Sequence, residues 1–87
     1  MNEEFLKRAK ELAAKAMDKV STETITADDV YIVWFCKTLQ NWKALVSTDK
    51  VNVNDYVEVT HNGDKAETYV DVYTKSINRV YPDKQPE

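Results

Sequence analysis

The sequence has 87 residues, with 12 Lys and Arg against 15 Asp and Glu, a formal charge of −3, and 43% hydrophobic residues. That describes one folded domain with a modest core, and neither a disordered chain nor a membrane-spanning one. A single glycine, histidine and cysteine exclude a phosphate-binding glycine loop, a dinucleotide fingerprint, a four-ligand zinc site and an internal disulfide.

Residues 3–20 carry the first element. Phe5, Ala9, Leu12, Ala13, Ala16 and Val20 recur at helical spacing, with Leu6 and Met17 widening the stripe. Glu3 and Glu4 suit the positive end of the helix dipole, and Lys15 and Lys19 the negative end. The alanine-rich stripe predicts close approach to a sheet face. Ser21 to Asp29 reads as a connector.

Val30 to Thr38 is composed almost wholly of strand formers. Both faces of this run are apolar as far as Lys37, which predicts a strand buried on both sides or flanked by aromatic cover. Its longest apolar stretch, Val30 to Cys36, is seven residues, far below the ~20 that cross a bilayer. Leu39 to Trp42 reads as a tight connection, 43–48 as a second strand, Asp49 to Asp55 as a loop or edge and 56–61 as a third strand. The acidic N-terminus, Met1-Asn-Glu-Glu, lacks the basic start of a signal peptide, so a reduced, cytoplasmic protein is expected.

Two readings of the next segment are open. Asn62-Gly63 between strand-like runs is a hairpin signal, and Thr68 to Thr74 is dense in β formers. Against that, Asp64-x-x-Glu67 has the form of a capping box, and Tyr69, Val72, Tyr73, Ser76, Ile77 and Val80 make a helical stripe. We expect α+β architecture in a single domain 1–87: helix 3–20 on a three-stranded antiparallel sheet (about 30–61), with a second helix at about 65–80. A fourth strand formed by the Asn-Gly hairpin is the alternative. Residues 82–87 form a tail.

Little here carries catalysis. Cys36, among Trp and Phe, is expected to be buried and inert, so no Cys–His pair forms with His61. His61 is expected in solvent beside the turn, and with Asp64 it is a weak candidate for a partial metal site; no cofactor is implied. The acidic pairs Asp28/Asp29 and Asp55/Glu58 read as turn and strand-end solvation. Trp42 either folds back onto the core or stands exposed in a turn. In the exposed case Asn41, Trp42 and Lys43 form a partner-binding anchor. Trp42 with Lys37 and Lys43 would then also suit base stacking on a single strand, which the charge of −3 opposes. Asp28 and Asp29 would steer association with a basic protein.

Asp29 to Thr48, with its Val-Trp-Phe and Asn-Trp-Lys-Ala-Leu segments, and Tyr56 to Lys75, with Asn-Gly-Asp-Lys, resemble an uncharacterised family of small proteins encoded by phages and prophages of Gram-positive bacteria. The resemblance covers about residues 29–80. It implies an accessory protein acting in the cytoplasm of the bacterial host; the lack of a catalytic constellation predicts that it is not an enzyme, and a monomer or homodimer is expected. Such proteins bind and disable a host protein, as an anti-CRISPR inhibitor occupies a Cas nuclease. A nucleic-acid-binding accessory protein and a virion or assembly component are the alternatives.

Overall fold

The computed structural model describes residues 2–50 and 55–84. Helix α1 (Glu3–Val20) leads through a 3-10 turn (Ala27–Asp29) into strands β1 (Val30–Thr38), β2 (Asn41–Thr48), β3 (Asp55–Asn62) and β4 (Glu67–Thr74). The strands form one antiparallel sheet in the order β1-β2-β3-β4. The helix lies across one face and touches all four strands. We call the helix-covered face inner and the opposite face outer.

The alanine stripe does what its small side chains allow. Ala9, Ala13, Ala14 and Met17 are buried against Ala44, Val46, Val57 and Val59 of the two central strands. Phe5 and Leu12 close the sides of that contact. The connector is pinned at both ends. Asp18 Oδ1 accepts the Ile25 N–H at 2.9 Å, and the Thr48 hydroxyl donates to the Asp29 carbonyl.

The expected second helix is a strand. Its start is captured by the turn: Asn62 Oδ1 accepts the N–H groups of Asp64 (3.0 Å) and Lys65 (3.3 Å). Asp64 itself accepts from the Gln40 side chain, so it does not cap a helix. Beyond the turn the residues alternate. Thr68, Val70 and Val72 pair with the inner residues His61, Val59 and Val57, while Tyr69, Asp71 and Tyr73 face outward. Period-two burial of β-branched residues outweighs the helical stripe. Ile77 and Val80, which that stripe would have buried, are 64% and 85% exposed. Most of the loop predicted at 49–55 lies outside the described residues.

A β-bulge shapes β1. Ile32 pairs with Val46 and Trp34 with Leu45, leaving Val33 as the extra residue. Side chains on a strand alternate, so the inserted residue reverses the facing of everything after it. Val30 and Ile32 point inward before the bulge, and Phe35 and Lys37 after it, opposite Ala44 and Trp42. The strand expected to be buried on both sides is therefore covered on one side only.

Trp42 is core, 4% exposed. It belongs to β2, which begins two residues earlier than expected and leaves only Leu39-Gln40 as the connection. The indole lies 5.9 Å from the Phe5 ring and 6.0 Å from Phe35, and stacks on His61 at 5.4 Å. The reading of Trp42 as an exposed anchor is corrected here. Trp42→Ala is expected to cost about 3–5 kcal/mol, read as a fall in the urea midpoint.

The two hairpin tips are joined. Asn41 Oδ1 accepts the Gly63 N–H at 2.8 Å, and a Cβ on Gly63 would lie 2.3 Å from the Gln40 carbonyl oxygen. Glycine is required there for close approach. Gly63→Ala is expected to cost about 1–3 kcal/mol and to lower the melting temperature with no change in secondary structure by circular dichroism.

Candidate functional site

One helix covers one face of a four-stranded sheet, so the outer face stays open. Its residues follow from the register. Tyr31, Trp34 and Cys36 come from β1, Lys43 and Leu45 from β2, Tyr56 and Glu58 from β3, and Tyr69, Asp71 and Tyr73 from β4. Five of these are aromatics exposed by 42–48%: Tyr31, Trp34, Tyr56, Tyr69 and Tyr73. The Tyr56 and Tyr73 rings stack across the β3–β4 pair at 5.0 Å and 14°. A shallow groove of about 240 Å³ runs past Trp34, Cys36, Lys43 and Thr60.

Anions are interleaved with these rings. Glu58 pairs with Lys43 at 3.6 Å, and Tyr69 donates its hydroxyl hydrogen to Glu67. Glu58, Glu67 and Asp71 thus face one lysine, Lys43. The Tyr73 phenol is pushed above its ordinary value by the charge of Glu58 first, then by desolvation and Asp71. The Tyr69 phenol is raised by its hydrogen bond to the Glu67 carboxylate. The Tyr73 shift follows from the carboxylates on the β3–β4 half of the face, and the Tyr69 shift from one hydrogen bond.

The residues singled out from sequence are dispersed. Lys43 is on the outer face. Asn41 is exposed but engaged in the staple to Gly63, and Trp42 is beneath it in the core. Asp28 lines a separate groove of about 360 Å³ on the helix side, with Glu3, Leu6, Lys7 and Lys10. Asp29 is a structural cap: its Oδ2 accepts the Thr26 N–H at 2.8 Å and hydroxyl at 3.0 Å, and Lys50 lies 3.9 Å away.

Two expectations about exposure are reversed. Cys36 is exposed on the outer face rather than buried, because the bulge turned it outward. His61 is half-buried on the inner face rather than in solvent. Its ring stacks on Trp42, and its Nδ1 is 2.8 Å from the Thr68 hydroxyl. Asp64 is spent on Gln40 at the turn. Among the described residues no three His, Cys, Asp or Glu side chains converge to hold a metal ion. The side chain of Asp55 lies outside the described residues.

Sequence reasoning missed Trp34 and Tyr31 as surface residues. The available signal was the apolar run itself: with one helix to cover two faces, half of that run had to remain open.

The Thr26 hydrogen bonds hold the Asp29 carboxyl below the usual carboxylate range. A folded-state pKa depressed in this way contributes stability above the unfolded value near ~4. The contribution is lost as pH falls through the folded value. Asp29→Asn is therefore expected to lower the urea midpoint at neutral pH, with the gap to wild type closing as pH falls through the depressed folded-state value.

Among the described residues no helix is long and apolar enough to cross a membrane. No curated protein and no solved structure matches the chain. Residues 6–83 match the Family of unknown function (DUF6275), and the chain belongs to that family.

Proposed function

We propose that this is a non-enzymatic binding module that docks a host protein on the outer face of its sheet. The observation that carries the reading is the row of half-exposed aromatics, Tyr31, Trp34, Tyr56, Tyr69 and Tyr73, on a sheet face that no described element of the fold covers. Tyr and Trp dominate binding hot spots, because they bury large area with little loss of side-chain freedom. An exposed aromatic face of this kind on a small domain is the mark of an interaction site. The anions Glu58, Glu67 and Asp71 give the face a preference for basic partners and speed their approach.

A basic surface that such a face fits is the nucleic-acid channel of a nuclease. That chemistry supports the role suggested by the resemblance to phage-encoded proteins: an accessory inhibitor of a host enzyme, of the anti-CRISPR type, working in the host cytoplasm. The same anions oppose phosphate, so the ring platform favours protein over single-stranded nucleic acid.

The test is affinity capture from nuclease-treated host lysate, followed by affinity measurement on the purified complex. Trp34→Ala and Tyr73→Ala are each expected to weaken the complex by about tenfold or more while the melting temperature stays near wild type. Capture that disappears on nuclease treatment would assign the face to nucleic acid. An affinity indifferent to Trp34 and Tyr73 would remove the face from the function.

A further inference from the structure

Beyond Thr74 the described chain takes no helix or strand, and residues 75–84 are all exposed, including Ile77, Val80 and Tyr81 at 64%, 85% and 75%. We call this exposed segment the arm. An arm that exposes three large apolar side chains, two of them more than two-thirds exposed, is short of a surface. The outer face is short of a cover.

We propose that the arm of one copy lies across the outer face of a second copy, in a symmetric exchange that closes a dimer. The sequence of the arm fits the face it would cover. In an extended segment side chains alternate, so Lys75, Ile77, Arg79 and Tyr81 share one side. That side alternates cation with apolar group, as the face alternates the anions Glu58, Glu67 and Asp71 with the rings Tyr56, Tyr69 and Tyr73. The charge is complementary: residues 75–84 hold three cations and one anion, against three anions and one cation on the face. A guanidinium laid over tyrosine rings gains cation–π attraction as well.

The arm covers a second copy rather than its own sheet. Folding back onto the outer face demands a reversal immediately after β4, where Ser76 is the one turn-favouring residue among Thr74, Lys75, Ser76 and Ile77. Exchange between two copies needs no reversal and is closed by a two-fold axis.

This inference rests on the outer face being a docking surface. It adds regulation, since a target must displace the arm.

Sedimentation equilibrium of the full chain, with no target present, tests it. The wild type is expected to dimerise in the micromolar range. Arg79→Glu and Asp71→Lys should each weaken the dimer by about tenfold or more, and the two together should restore it. Ile77→Cys supplies a second readout, because position 77 is on the side of the arm that meets the face, and Cys36 is the natural chain's only thiol and lies on that face. Mild oxidation should then give a disulfide-linked dimer well above the background of the wild type. A wild type that stays monomeric at all concentrations overturns the exchange, as does a dimer untouched by either charge reversal. A link between Cys36 and the introduced thiol within one chain overturns it in favour of self-covering. None of these results depends on target capture, so the exchange can fail while Trp34→Ala still abolishes target binding, and the reverse.

Discussion

The make-up of the outer face depends on one inserted residue. Val33 pairs with nothing across β2, and every side chain after it in β1 faces the opposite way from the alternation before it. The consequence is a division of the aromatic run. Phe35 turns inward to meet Trp42 at 6.0 Å, and Trp34 turns outward beside Leu45. A regular strand would have placed Trp34 on the helix-covered face and Phe35 on the open one. The bulge thus completes the core and supplies the largest ring of the outer face with the same residue.

The make-up of the described fold leaves that face open. One 18-residue helix covers one side of four strands, and no further described element lies over the other. Within that limit the inner side is packed tightly around small residues. Ala9 and Ala13 admit the sheet, and Trp42, Phe5 and Phe35 fill the end where the helix begins. The outer side is kept compatible with water by its polar tips. Five ring faces are offset by four tyrosine hydroxyls, the Lys43–Glu58 pair and the carboxylates of Glu67 and Asp71. A surface so composed is costly to leave empty and inexpensive to desolvate against a partner, because each tyrosine keeps a group that can hydrogen-bond on either side of the event.

Local signals are legible wherever one period rules. The helix at 3–20 and the strand at 30–38 have the bounds that their patterns predict, and the α+β class follows. Where two periods compete, the sequence is ambiguous for a physical reason. Residues 69–80 satisfy helical spacing, but only a neighbouring strand decides whether Val70 and Val72 have a buried surface to meet, and that neighbour is supplied by the Asn62 turn. Trp42 is hard to place for a related reason. A two-residue connection at Leu39-Gln40, with Leu39 at φ 55°, carries no Gly or Asn to mark it. The strand therefore reads as starting later, and the indole as belonging to the turn. Cys36 and His61 are products of register, which no single strand encodes: the exposure of each is set by a pairing formed elsewhere.

The edges of the sheet restrict how copies of this chain can meet. An open antiparallel sheet invites pairing along its free strands, and those strands are β1 and β4. The bulge at Val33 breaks the regular spacing of donors and acceptors along the outside of β1, and bulges of this kind are a means by which edge pairing is discouraged. The free edge of β4 carries Glu67 and Asp71, so two such edges approaching each other bring like charges together. Continuous sheet formation is disfavoured on both sides. What remains is the face, where rings alternate with anions, the arrangement on which the proposed exchange relies. The same device that turns Trp34 outward therefore also turns association away from the edges and onto the surface where Trp34 lies.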